Sequence, residues 1–390
     1  MRDLNLYGIS GLHQYVDAEN FGLILDNVNA KYNRAIWRQF ASWGKPTDDR
    51  EWKQGIKKTP ILVRASILGT HSEKPQRSTL GWEFYGGTLP QLGHGFNITQ
   101  DDMIELRKSA KLADVTFGEA LTDSFVLNSD AMIGGVHNEL SYMVMQAMST
   151  GEIHDIAVDG ARYDFKFQIP DENFLEPVQD WYIWENQGTN ESPKWVLVPN
   201  ENADVIEDIV TFQKYLKDTL SLGVDHWKLS KDLLDKIVLH PSVKNAYLAS
   251  KNLNSESWSH YKIVRTELLS WMHDDMKVWP FQEIDFQSRH EEDGKPVADA
   301  PAFDIHNMVA ASRAYRPFEI KCMNSILKDR NKLGAHNDSV RTHFVEERIA
   351  VQNVWQDRPM MNIIDCELYA GPVFNNVRDY SIAKVWKDRA

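Results

Sequence analysis

Two short runs bring together residue types that move protons or hold metals: His273-Asp274-Asp275 and His290-Glu291-Glu292-Asp293. An imidazole beside carboxylates can act as an acid–base pair or ligate a divalent cation. Consecutive residues on a helix point in different directions, so the first run reads as a solvated helix end. The second leads into Gly294 and reads as an exposed turn. Neither HExxH nor an EF-hand loop is present. The two cysteines, Cys322 and Cys366, lie far apart and outside any CxxC spacing. They imply neither a structural zinc site nor a disulfide framework.

Nucleotide and nucleophile motifs are also missing. Gly44-Lys45 and Gly294-Lys295 are each followed by proline, not by the Ser or Thr of a phosphate loop. Gly93-His94-Gly95 lacks the third glycine of a dinucleotide fingerprint, and Gly8-Ile9-Ser10-Gly11 lacks the spacing of a nucleophile elbow. The sequence therefore assigns no catalytic, cofactor-binding or metal residue, and the expectation is a protein that is not an enzyme. A cytosolic Asp/His-dependent hydrolase centred on His273 is the enzymatic alternative; loss of turnover in Asp275→Asn with the fold intact would support it. Thirteen tryptophans suit core packing, and a carbohydrate-binding platform is a further alternative that a glycan array would test.

Composition bounds the class. The 390 residues are 42% hydrophobic and 25% charged, enough for a sizeable core and far from disordered or collagen-like chains. Forty-three Lys and Arg against 56 Asp and Glu leave a net charge of -13, which does not steer the chain to phosphate. No charged-then-apolar leader opens the sequence and no 18-residue apolar run occurs, so the expectation is folding in a cytoplasm.

The elements follow from periodicity. Phe21, Leu25, Val28, Tyr32 and Ile36 predict a helix over 18–42, stopped by Gly44 and Pro46. Residues 44–97 carry brief extended runs, Ile61-Leu62-Val63 and Trp82-Glu83-Phe84-Tyr85, and predict a projecting two-stranded loop. Thr99 with Asp102 predicts a capped helix. A long helix is expected over 123–149, closed by Gly151, with Gly134-Gly135 marking a kink or a close packing contact. Asp159-Gly160 predicts a hairpin turn between strands 152–158 and 161–169. Residues 170–203 read as a polar connection. A new lobe opens with the stripe Val205, Ile209, Phe212, Leu216 and Leu220. Short strands and helices follow, including extended runs at 279–286 and 303–309 and late strands at 348–355 and 361–368. The fold class is α+β.

This order of elements resembles the tailed-phage major capsid proteins with the Hong Kong 97-type fold, in particular the lambda-like capsid protein E branch. Gly151-Glu152-Ile153, Asp159-Gly160 and Tyr163-Asp164-Phe165 are similar to that branch's helix-to-hairpin passage. Ile237-Val238-Leu239-His240-Pro241-Ser242-Val243 resembles its strand-to-helix-proline passage, and Trp279-Pro280-Phe281 through Gly294 its extended segment with a polar turn. The resemblance covers most of the chain as an order of elements; residues 170–203 match nothing in it.

The resemblance implies an N-terminal arm over 1–45, an extended loop over 46–97, and a spine helix with peripheral domain over 98–200. It further implies an axial domain over 201–355 and C-terminal strands over 356–390 that return to the peripheral domain. It implies hexamers and pentamers in an icosahedral shell, a virion location with assembly in a bacterial cytoplasm, and a portal protein as partner, with a separate scaffold or a decoration protein possible. The shell would enclose double-stranded DNA without specific binding, which weak repulsion from an acidic wall would suit. No acidic helical scaffolding segment precedes the arm, so assembly is expected to use a separate scaffold or none. Some relatives crosslink through Lys and Asn; Lys57, Lys58 and Lys74 lie in the loop, but no acceptor can be paired and no crosslink is expected. Trp82, Phe84 and Tyr85 are the expected subunit-contact residues, against the alternative that they pack on their own subunit. An encapsulin-type nanocompartment shares the implied fold and is the nearest rival.

Overall fold

A computed structural model describes residues 18–57, 82–156, 162–188, 193–252, 265–292, 295–298, 301–312, 316–327, 340–357, 360–376 and 379–387. Helix α1 (Ala18–Ala30) buries Phe21, Leu25 and Val28. The single helix predicted over 18–42 is broken. Lys31–Arg34 form a 3-10 turn, and Ala35 is extended (ψ 139°) before the short α2 (Trp37–Phe40). The break turns the chain so that Trp37, which lies off the predicted stripe, is buried together with Phe40.

Strand β1 (Ala41–Trp43) follows. Strands β2 (Glu51–Lys57) and β3 (Trp82–Thr88) pair antiparallel, with Glu51 opposite Thr88 and Lys57 opposite Trp82. They form a ribbon that joins neither larger sheet. The Ile61-Leu62-Val63 run lies outside the described residues. Residues 91–97, the end of the expected loop, instead belong to β4 (Gln91–Thr99), a strand of the main sheet.

Thr99 and Asp102 close the predicted capping box on α3 (Gln100–Leu112). The long helix α4 (Phe117–Thr150) starts well before residue 123 because Thr116 and Glu119 form a second capping box. Its 34 residues span about 50 Å at 1.5 Å per residue. Gly151 ends it in the left-handed conformation (φ 74°), as its sequence position predicts. Of the two readings of Gly134-Gly135, close packing is what Gly134 shows: a Cβ there would lie 2.3 Å from Tyr32 Oη.

Strands β5 (Glu152–Ile156) and β6 (Arg162–Lys166) form the expected hairpin. Their partners are equidistant from Asp159, which is not the register of a two-residue Asp159-Gly160 turn; the turn itself lies outside the described residues. The expected connection at 170–203 has structure of its own. A 3-10 turn (Asp171–Asn173) and β7 (Phe174–Leu175) precede a hairpin of β8 (Tyr182–Asn186) and β9 (Trp195–Pro199).

Asp204 caps α5 (Val205–Lys214), which continues as a π-helical turn to Thr219. Then come β10 (His226–Ser230), α6 (Lys231–Leu239), α7 (Pro241–Ser250) with proline at its first position, and α8 (Arg265–Asp274). Strand β11 (Phe281–Ile284) precedes a hairpin of β12 (Arg289–Glu292) and β13 (Lys295–Ala298). Strand β14 (Asn307–Ala311) begins later than the expected Phe303. The chain closes with β15 (Phe318–Met323), β16 (Val340–Val345), β17 (Ile349–Asp357), β18 (Met360–Phe374) and β19 (Ser381–Lys384).

The main sheet has the order β1-β15-β18-β17-β16, with β4 also paired to β18. Tyr369 pairs with both Met323 and Gln91, so β15 and β4 lie on opposite edges of β18. That 15-residue strand is about 50 Å long, the length of α4, which packs along it. Gly95 lets β4 pass Asp365: a Cβ there would meet its Oδ1 at 2.4 Å. The second sheet has the order β11-β10-β14-β19-β7.

The span expected for the axial lobe, 201–355, contributes strands to both larger sheets. Strands β15 to β17 pair into the main sheet, because β18 supplies their backbone partners. Conversely β19, expected to return to the peripheral domain, pairs with β14 and β7 in the second sheet.

The second sheet also separates two cores. Met308 and Ala310 of β14 face a cluster built from α5 to α8, while Val309 and Ala311 join the cluster around α4. A strand buried on both faces carries no polar alternation, and Asn307–Ala311 is buried throughout.

Candidate assembly site

Among the described residues, a network of buried polar side chains joins the segment 29–43 to helix α4 and the main sheet. Trp37 Nε1 donates to His137 Nδ1 at 3.2 Å, and His137 Nε2 lies 2.8 Å from Asn29 Oδ1. With Nδ1 accepting, Nε2 carries the proton and donates to Asn29. Burial, then the positive charge of Arg38, pushes the imidazole down to about 4, so it is neutral. Asn29 Nδ2 in turn donates to Glu346 Oε1 at 2.7 Å. Arg38 reaches the same oxygen at 2.6 Å, and Trp43 Nε1 donates to Oε2 at 2.5 Å. Burial alone would raise the Glu346 carboxyl; these three donors outweigh it and hold it below the ordinary carboxylate range.

Backbone geometry aims that carboxylate. Pairing of β16 with β17 closes at Val345 and Ile349, and Glu346 and Glu347 in the turn take φ of 50° and 61°. Left-handed backbone at a non-glycine residue costs about 1 kcal/mol or more and persists where surroundings over-determine it. Here the three donors do so. The arm is thereby fastened to the hairpin tip of a sheet more than three hundred residues away in sequence.

The ribbon is anchored at its base. Tyr85 Oη donates to Phe374 O at 2.9 Å, and Gln54 Nε2 donates to the same carbonyl at 2.8 Å. Trp52 packs edge-on against Tyr85 and beside Phe165. Of the three residues singled out for subunit contact, Tyr85 is thus buried in its own chain, and burial raises its hydroxyl pKa. The side chains of Trp82 and Phe84 lie outside the described residues, as do Lys58 and Lys74 and the side chain of Lys57.

The chemical candidates do not converge. His273 Nδ1 is held by Val278 O at 2.9 Å at the end of α8. Among the described residues no group of His, Cys, Asp and Glu could hold a metal ion. The side chains of the His290 run lie outside the described residues. Cys322 and Cys366 are buried and form no disulfide, and burial pushes the Cys366 thiol up to about 12, which leaves it unreactive. Among the described residues no helix is long and apolar enough to cross a membrane.

Sequence reasoning missed Asn29, Arg38, His137 and Glu346. They come from three distant stretches of sequence, and no local spacing marks them.

No family model matches the chain, and no curated protein matches it. Among solved structures, it is similar to a phage-related protein from Bordetella bronchiseptica RB50 at 10% identity. That match covers 93% of this chain and 96% of the other with a TM-score of 0.44. It is similar to the capsid of Myoviridae phage XM1 at 11% identity, over 90% of each chain, with a TM-score of 0.40. A virus-like particle from Pyrococcus furiosus is similar at 7% identity, over 93% of this chain and 99% of that one, again with a TM-score of 0.40.

Proposed function

We propose that this chain is a shell-forming major capsid protein of a tailed bacteriophage, with a structural and not a catalytic role. The observation that supports the reading is one of architecture. A 34-residue helix lies along a 15-residue strand, an arm is latched to that helix and to the β16–β17 turn, and a two-stranded ribbon joins neither larger sheet. Mean globular helices run about 11–12 residues, so this chain is built around elongated elements. A lone two-stranded ribbon is marginal in water and gains by lying on another surface. Ribbon, spine and lobe occur in the order that the Hong Kong 97-type resemblance implies.

In this reading β2 and β3 extend over a neighbouring subunit, with Trp82 and Phe84 as contact residues. The lobe of α5 to α8 meets its copies around the symmetry axes. Many modest contacts between identical subunits close by symmetry, and their affinities accumulate. The net charge of -13 suits a wall that encloses DNA without gripping it. A portal and a scaffold would be its partners, and the virion its location.

Negative-stain microscopy beside size-exclusion chromatography tests the reading. Closed shells, or rings of hexamer and pentamer size, are expected. A strictly monomeric or dimeric species across salt and protein concentration, also after co-expression with the neighbouring genes of its genome, would overturn it. A filled particle that packages a cargo enzyme and no DNA would favour a nanocompartment.

A further inference from the structure

A cleft of about 690 Å³ opens between the arm and the edge of the main sheet. Arg34, Arg38 and Arg316 line it, together with Trp37, Trp43 and Ser42, and among the described residues no carboxylate does. The Arg38 charge is already answered by Glu346 at 2.6 Å. Arg34 and Arg316 are exposed, and neither guanidinium meets a carboxylate among the described residues. Among the described residues, a chain with an excess of acid has thus set two cations without a carboxylate partner in one concavity.

The cleft has a second feature. Ala41, Ser42 and Trp43, which line it, are strand β1. Among the described residues β1 pairs only with β15, so it is the edge of the main sheet. An edge strand presents backbone groups that can take up a further strand, and side-chain pockets beside it set which strand fits. Arginine forks bind carboxylates in a planar, two-bonded geometry.

We propose that this cleft receives an extended, acidic segment of a second copy of the chain. Its backbone would run beside β1, with its carboxylates between Arg34 and Arg316. The occupant is argued from charge: each copy carries 56 acidic against 43 basic residues, so a neighbouring copy is net negative and complements a cationic cleft. The inference rests on the shell-forming reading and adds to it a specific joint between subunits.

The test is assembly of the full chain carrying Arg34→Glu and Arg316→Glu, compared with wild type by sedimentation velocity and microscopy. Both side chains are exposed, so circular dichroism and melting temperature should be unchanged; Arg34→Gln with Arg316→Gln provides a milder pair. At least a tenfold drop in the assembled fraction is expected for the double Glu variant, with a smaller drop for the Gln pair. Equal assembly of wild type and both variants would overturn the cleft joint and leave the shell reading standing. Failure of wild type itself to assemble would overturn both. Normal assembly with lost retention of a short DNA duplex would assign the cleft to phosphate and overturn the proposal.

Discussion

Glu346 accepts a hydrogen bond from Arg38 at 2.6 Å across 308 positions of sequence, and both side chains are only about one-fifth exposed. This pair, with Asn29 and Trp43, fastens the arm to the tip of the β16–β17 hairpin. Hydrogen bonds to a charged group contribute about 1.5–3 kcal/mol each, and removing one partner of a half-buried pair leaves the other uncompensated. Glu346→Gln should therefore destabilise the protein by about 2 kcal/mol in urea titration. Arm residues should lose hydrogen-exchange protection before the second lobe does. A uniform loss across the molecule would show that the latch is not local.

The same cluster makes stability pH-dependent. His137 is about 4 in the folded protein against 6.5 unfolded, so between those values the unfolded chain binds more protons. Stability is fully present above 6.5 and is lost as pH falls through 4. The loss is about 3 kcal/mol at 1.36 kcal/mol per unit. The depressed Glu346 carboxyl acts with the same sign at lower pH. Unfolding titrations across pH 4–7 should show this slope in wild type and a flatter one in His137→Gln.

Lys228 on β10 is 3% exposed, with its ammonium 4.8 Å from the Phe40 ring centre. Burial, opposed by nearby Asp225, pushes it down to about 8 from 10.5. A depressed lysine destabilises the fold while it is charged, so stability should rise as pH climbs from 8 to 10.5. Lys228→Met removes the buried charge and forfeits a cation–π contact of about 1 kcal/mol. It should be more stable by about 2 kcal/mol at pH 7, with the alkaline rise abolished; a less stable variant would show that the charge is solvated in place.

Neighbouring glycines in α4 should respond with opposite signs. A Cβ on Gly134 would lie 2.3 Å from Tyr32 Oη, and Tyr32 is fixed by its bond to Asp130 O at 2.9 Å. A Cβ on Gly135 would come no nearer than 3.9 Å to His94. Replacing Gly by Ala inside a helix gains up to about 1 kcal/mol, and overpacking costs about 1–3 kcal/mol. Gly135→Ala should raise the melting temperature and Gly134→Ala should lower it.

Much of this architecture was legible because its cause is local. Thr99 with Asp102 and Gly151 mark helix ends through bonds within one turn, and the stripe from Val205 to Leu216 marks a helix through its own period. Such signals are short-range, and the fold had no reason to override them. Where a local signal failed, a tertiary demand had overruled it. The stripe over 18–42 is cut before Trp37, which lies off its axis and is fully buried. The Gly-His-Gly of β4 looked like loop punctuation, yet Gly95 is a glycine because Asp365 passes over it.

What the sequence determined by itself was the kind of elements and their order, and from that order the resemblance to a shell protein. What only the tertiary structure decided was partnership. It placed β15 to β17 with the spine helix, sent β19 into the second sheet, and brought Asn29, Arg38, His137 and Glu346 to one point. The physical reason is that sheet pairing and buried polar networks join residues hundreds of positions apart. Their energy depends on which surfaces meet, and no period along the chain encodes that.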